Sequence, residues 1–274
     1  MTRPADLHIH TNFSDSTSTP EEVVQQAYEQ DLGCIAIADH DTIDGIQPAI
    51  EAAQKHDIEV ISGIELSSEI GGKDIHVLGY LFDYKDQGFV DRINCMQNER
   101  VTRMQKMIDK LKTMGIDNIA MEEVSDQSQS DSLGRPHLAN LLREKGWVKT
   151  NQMAFNKYLA DGAPAFVPKF KQTPYEAIAL IQEFGGVAVL AHPMLTRVDE
   201  LIPSLVAAGL GGLEVYYPGN SDNVTRFYEG LAKKYALAAT GGSDAHGSSK
   251  KHTYVGKVQI PYDLVEKLKS VRHV

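Results

Sequence analysis

Two histidines, His8 and His10, stand two residues apart near the start of the chain, and other side chains able to bind metal recur after them. Asp39 precedes His40, Glu65 follows VISGI, His76 sits within DIHVLGY, His192 follows VAVLA, and Asp244 comes two residues before His246. Imidazole and carboxylate without thiolate suit Zn, Mn or Fe. On a strand, His8 and His10 project to one face, roughly 6.6 Å apart along it. A single histidine after a strand is ordinarily a hydrogen-bonded structural residue. Repetition of such groups where successive apolar runs end is the pattern of a metal centre, because parallel strands of a barrel deliver their C-terminal ends to one mouth.

The elements that must position these groups read as alternating strands and helices. Strands are expected over residues 5–10, 34–38, 58–64, 74–81, 187–191, 212–216 and 236–240. Thr19-Pro20 and Thr173-Pro174 each open a helix with a capping hydroxyl, a proline in the first turn and acids after it. Repeated βα units predict a parallel sheet, closed as a barrel or left open. Between residues 88 and 165 the pattern changes. A long polar helix over 89–114, a Ser-rich loop over 117–134, and helices over 136–146 and 151–160 predict a helical insertion. The barrel is then residues 1–87 and 166–274.

Composition narrows the classes. The chain has 274 residues, 42% hydrophobic and 23% charged, with 27 Lys+Arg against 37 Asp+Glu and a formal net charge of -10. An acidic balance argues against a grip on long duplex nucleic acid, which requires many neutralised phosphates. A few local cations still suffice for a small phosphorylated substrate. No apolar run approaches the roughly 20 residues of a membrane helix, and MTRPADLHIH has no apolar signal core. Two cysteines, Cys34 and Cys95, point to a reducing cytoplasm rather than a disulfide scaffold, with Cys34 a buried small hydrophobe. The sequence is silent on oligomeric state.

Taken together, DLHIHT at 6–11, FSD at 13–15, ADHD at 38–41, GIE at 63–65, AHP at 191–193 and GSDAH at 242–246 resemble the PHP (polymerase and histidinol phosphatase) family. The resemblance spans both halves of the chain and skips the insertion. It implies a distorted (β/α)7 barrel with a helical insertion and two to three divalent metals. His8, His10, Glu65 and Asp244 would hold one ion. Glu65 would bridge to a second held with His76 and His192. Asp15, His40 and His246 would hold the third, the group closest to the leaving oxygen and so the catalytic set. Some PHP phosphatases have His where this chain has Asp15; the added carboxylate favours Mn or Mg there. Asp6 and Asp39 are expected to orient the histidines.

Clustered divalent ions activate water and bind phosphoryl oxygens, so phosphate ester hydrolysis by a hydroxide bridging two metals fits the set, and no nucleophile motif is present. Substrate selection must come from elsewhere. Arg135 and His137, in GRPH at a helix start, Lys169, in FVPK, and Arg197, five residues after His192, are the candidate contacts. GRPH and FVPK resemble the branch of the family that removes the 3′-phosphate from nucleoside 3′,5′-bisphosphates and trims short 5′-phosphorylated RNA. Tyr216, Tyr217 and Phe170 are candidates for stacking a base. The alternatives are a phosphatase for another small monoester such as histidinol phosphate, a hydrolase of C–N or C–O bonds, or a non-catalytic PHP binding module.

Overall fold

The computed structural model describes residues 3–127, 133–168, 172–249 and 253–271. Lys169 and Phe170 lie outside these residues. Seven strands form one sheet in chain order: β1 (Ala5–Ile9), β2 (Cys34–Ile37), β3 (Glu59–Ile70), β4 (Lys73–Tyr80), β5 (Val187–Leu190), β6 (Gly212–Tyr216) and β7 (Ala238–Gly241). The sheet curls into a nearly closed barrel. Ile9 bridges to Ala245 beyond β7, where the His10 N–H donates to the Ala245 carbonyl at 3.0 Å. Gly242 makes this closure possible, since a Cβ there would lie 2.3 Å from the His8 nitrogen.

The sheet is not uniformly parallel. β3 runs on past Glu65 to Ile70, and β4 is antiparallel to both β3 and β5. The expectation of a strand ending at Glu65 is thus corrected. The period-2 pattern continues through LSSEI, and the reversal is made by Gly71 and Gly72, with φ of 58° and 80°. A two-residue turn with both residues in the left-handed region matches the twist of a hairpin, and glycine takes that conformation without steric cost. His76 therefore reaches the mouth from the first half of a reversed strand, not from a strand's C-terminal end.

Inward and outward residues separate by alternation. Ala5, Leu7, Ala36, Leu78, Tyr80 and Val189 are buried together as an apolar floor. On the outside, Ile35 and Ile37 pack against Val23, Ala27 and Ala49 of the helices Pro20–Glu29 and Ile46–Ala53. Thr19 and Thr173 both close capping boxes, as their sequences predict.

Between β4 and the barrel helix Pro174–Glu183 that precedes β5 come the helices Gln87–Thr113, Met121–Ser125, Arg135–Glu144 and Asn151–Ala154, the last continued by a π-helical turn, Phe155–Leu159. Met121–Ser125 falls inside the expected loop; the Ala120 N–H donates to the Glu123 carboxylate at 3.0 Å and Val124 is buried, which together hold the turn. These helices have their own apolar cluster, including Met104, Met107, Leu111, Leu138, Leu142 and Leu159. The first turns of the long helix instead pack Phe89 and Ile93 onto the barrel-side cluster with Phe82. Among the described residues no helix is long and apolar enough to cross a membrane.

Candidate metal centre and cleft

The mouth of the barrel is built on irregular backbone. Ala5 and Asp6 pair with Cys34 and Ile35, but Ile9 pairs with Ile37, so Leu7 and His8 both stand opposite Ala36. This bulge resets the alternation. Leu7 completes the apolar floor, while His8 and His10 rise above it, both fully buried. Asp41, His192 and Asp244 have φ of 50°, 28° and 47°. Left-handed non-glycine residues are uncommon and cluster where a site over-determines the backbone.

Glu65 is the hub. Its Oε1 lies 2.8 Å from His76 Nδ1 and 3.0 Å from His192 Nε2. Its Oε2 lies 3.1 Å from His40 Nδ1, 3.3 Å from His10 Nε2 and 3.4 Å from His8 Nε2. Asp244 Oδ1 adds contacts of 3.2 Å to His10 Nε2 and 3.7 Å to His8 Nε2. Asp15 Oδ1 lies 3.1 Å from His246 Nε2 and 3.8 Å from His10 Nδ1. Ligand atoms of His10, Asp15, His40 and His246 lie within 4.8 Å of one another, as do those of His8, His10 and Glu65, and those of His40, Glu65 and His76. All nine residues expected to bind metal are thus brought to one place, with His10, His40 and Glu65 each shared between groups.

The tautomers show that these groups fit a cation. His8 Nδ1 lies 2.8 Å from the Glu214 carboxylate, so it carries the proton and Nε2 presents a lone pair. That lone pair faces His10 Nε2 at 3.1 Å and two carboxylates. His246 Nδ1 donates to the Asp244 carbonyl at 2.8 Å, which leaves Nε2 bare against Asp15. His10 Nδ1, Asp15 Oδ1, His192 Nδ1 and His246 Nε2 are buried without a hydrogen-bond partner among the described residues. Converging buried lone pairs are relieved by a divalent ion or by protons. The protonation energetics agree. Burial pushes the His8 pKa down, but Glu214 and Glu65 override this and raise it well above the usual value. His10 is raised to about 9 against the same burial, by Asp244 and Glu65. Burial favours neutral Glu65, Asp15 and Asp244, yet the surrounding imidazoles hold all three well below the carboxylate range.

Asp6 and Asp39 do not orient imidazoles. Asp6 accepts backbone N–H groups of Ser243 at 2.9 Å, Gly256 at 2.8 Å and His8 at 3.3 Å, and Asp39 accepts from Thr11 and Ser14. Both carboxylates hold backbone rather than ring nitrogens, Asp6 that of His8 included. The orienting role belongs to Glu214 on β6, which takes His8 Nδ1 on one oxygen and the His192 N–H on the other at 2.7 Å. An acid inside the apolar run GLEVY was the available signal.

Beside the metal-binding groups lies a cleft of about 200 Å³. The barrel contributes Ser14, Asp15, His40, Ser67 and His76; the insertion contributes Arg100, Arg103, Arg135, His137 and Phe155. Arg135 donates to Asp161 at 2.6 Å and its guanidinium lies over the rings of Phe155 and Phe166. Arg100 pairs with Asp41 and donates to Ser67 Oγ at 2.9 Å. Arg103 is 6% exposed; its Nε donates to the Val167 carbonyl at 2.8 Å and one Nη has no partner among the described residues. Burial pushes both arginines down to about 10, helped at Arg100 by Arg103 and at Arg103 by Arg135, and both stay cationic at neutral pH. Arg100 and Arg103, three apart on one helix face, were missed in the sequence because a polar helix reads as solvated.

The other expected contacts fall out differently. His137 lines the cleft, but both ring nitrogens are engaged by backbone: Nδ1 accepts from Gly134 at 3.1 Å and Nε2 donates to the Ser14 carbonyl at 3.0 Å. It bolts the insertion to the loop that carries Asp15. Arg197 is exposed after the short turn Pro193–Thr196 and is not among the residues lining the cleft. Tyr216 donates to Glu229 at 2.8 Å and Tyr217 to Asp244 at 2.7 Å, and neither residue is among those lining the cleft.

A model of the PHP domain matches residues 6–81. A 5′-3′ exoribonuclease from Haemophilus influenzae is 34% identical over 251 residues, 90% of this chain and 91% of the relative. A 3′,5′-nucleoside bisphosphate phosphatase from Chromobacterium violaceum is 29% identical, covering 93% and 91%. A solved structure from Bifidobacterium adolescentis, described as a metal-dependent phosphoesterase, superposes with a TM-score of 0.86 at 30% identity over 98% of this chain and 96% of the other. With this likeness along nearly its whole length and a mouth fitted for cations, the chain belongs to the PHP family and is a metal-dependent phosphoric ester hydrolase.

Proposed function

We propose that the chain removes the 3′-phosphate of nucleoside 3′,5′-bisphosphates and acts on short 5′-phosphorylated RNA. The observation that carries this reading is the pairing of two cationic environments across one cleft. The metal-binding groups Asp15, His40 and His76 are on the barrel side, and Arg100, Arg103 and Arg135 come from the insertion. A phosphomonoester needs only the first. A second phosphate gives the arginines a ligand, and guanidinium groups suit phosphate oxygens in both charge and geometry. The bare Nη of buried Arg103 supports the reading, because a buried cationic donor without a partner is costly. The names of two relatives, a bisphosphate phosphatase and an exoribonuclease, agree with it.

Two to three divalent ions, with Mn favoured for activity, are assigned to the mouth. His8, His10, Glu65 and Asp244 would hold one; Glu65, His76 and His192 would hold a second; Asp15, His40 and His246 would hold a third. When bound, such ions supply Lewis acidity for water activation and for charge on the phosphoryl oxygens. The chain's own groups do the rest. Arg103 and Arg135 bind the remote phosphate, Arg100 keeps Asp41 and Ser67 in place, and Asp15 and His40 face the scissile group. Residues 88–165 thus act as the substrate-selecting unit on the barrel of residues 1–87 and 166–274. A cleft of about 200 Å³ on a chain of net charge -10 suits strand ends and nucleotides, not long duplexes.

The test is phosphate release with added Mn from 3′-phosphoadenosine 5′-phosphate, 5′-monophosphates and histidinol phosphate. The bisphosphate is expected to give the highest kcat/KM. Equal or better hydrolysis of histidinol phosphate would assign the chain to simple monoesters instead.

A further inference from the structure

β6 carries no residue of the metal-binding set, yet it sets the orientation of that set. Its Glu214 fixes His8 and the backbone of His192, and Tyr217, directly after it, reaches Asp244. We infer that Tyr217 is a positioning residue that restricts Asp244 to metal ligation through one oxygen. The inference rests on the metal-centre reading above.

The two oxygens of Asp244 have different surroundings. Oδ1 looks into the centre, 3.2 Å from His10 Nε2, 3.4 Å from His246 Nδ1 and 3.7 Å from His8 Nε2. Oδ2 accepts the Tyr217 hydroxyl at 2.7 Å. The tyrosine is itself held, with its ring edge-on to His192 at 5.6 Å between centroids and 66° between planes. Asp244 has φ of 47°, a left-handed conformation that Asp adopts more readily than most residues. A carboxylate with two open oxygens can chelate one ion or swing to bridge two. A hydrogen bond to one oxygen occupies one of its lone pairs and fixes the plane of the carboxylate, which biases it toward ligation through the other oxygen. Tyr217 therefore serves the metal centre.

Metal-stripped protein is titrated with Co²⁺ against a chelating indicator, and the visible spectrum of the loaded protein is recorded, for wild type, Tyr217→Phe and Tyr217→Leu. Loss of a hydrogen bond to a metal ligand commonly costs about 10- to 100-fold in metal affinity. Y217F should lose that much for one ion and shift the Co²⁺ spectrum toward higher coordination number, while the stripped protein melts as wild type does. Y217L, which removes the ring as well, should lose at least as much. Wild-type affinity and spectrum in either variant would overturn the role of Tyr217. Wild type that binds no Co²⁺ would instead remove the metal-centre reading itself.

Discussion

The floor and the mouth of the barrel occupy the same strands a few residues apart, and they are built on opposite principles. The floor holds Leu7, Ala36, Leu78 and Val189, packed without polar atoms except the Tyr80 hydroxyl, which donates to the Leu7 carbonyl at 2.7 Å. The mouth, one layer up, gathers five imidazoles, three of them buried, around the single carboxylate of Glu65. The floor is stable as it stands. The mouth is an arrangement of lone pairs and anions that only cations satisfy. The lesson is that metal binding should matter far more to the mouth than any one side chain matters to the floor.

Glu65→Gln tests this contrast most severely. The amide keeps the shape but loses the anion that all five histidines face. Metal content should fall by at least one ion per chain and kcat by more than about 100-fold, since even groups that only orient ligands cost 10- to 100-fold. Elemental analysis and phosphate release check it; full metal content in the variant would break the comparison. Asp15→Ala comes next. It should lower turnover while the ions assigned to Glu65 remain bound. A kcat equal to wild type would remove the third set from catalysis.

A smaller effect sharpens the boundary between barrel and insertion. His137→Ala leaves the Gly134 N–H and the Ser14 carbonyl without their partner in a buried position. Stability should fall by about 1–3 kcal/mol in denaturant melts. An unchanged melt would show that the insertion is not bolted there.

The smallest effect lies at the far end of the barrel. Glu59 accepts from Lys269 Nζ and Tyr262 Oη, each at 2.6 Å. Burial raises the Glu59 pKa, but these partners outweigh it and hold the folded value below the usual 4.5. A lowered folded pKa contributes stability above the unfolded pKa and loses it as pH falls through the folded one. The pair is partly exposed, so Lys269→Met should cost less than about 1 kcal/mol at neutral pH. That difference should shrink in melts taken progressively below pH 4.5. A constant difference would assign the loss to packing of the lysine stem.

Much of the mouth was legible because its chemistry requires unusual residue types at strand ends. His8-x-His10, Asp39-His40 and Asp244-x-His246 stand out against apolar runs. Capping boxes at Thr19 and Thr173 were legible for the same local reason. What stayed hidden depends on tertiary context. The bulge at Leu7 and His8 exists only relative to Ala36. The reversal of β4 turns on two glycines inside an otherwise continuous alternation. Glu214, Arg100 and Arg103 have ordinary local sequences and acquire roles only when β6 and the long helix meet the site. Arg197 shows the converse, a cation close to His192 in sequence and exposed away from the cleft.

The central claim is that the barrel mouth does the chemistry while the insertion's arginines choose the substrate. The most direct measurement is kcat/KM of wild type and Arg103→Ala on a nucleoside 3′,5′-bisphosphate and on an aryl phosphate with no second phosphate. A charge-assisted hydrogen bond contributes about 1.5–3 kcal/mol, or roughly 10- to 150-fold. The account predicts a loss of that size on the bisphosphate and little change on the aryl phosphate. Equal losses on both would place Arg103 on the scissile phosphate, and no loss on either would contradict the division of labour between mouth and insertion.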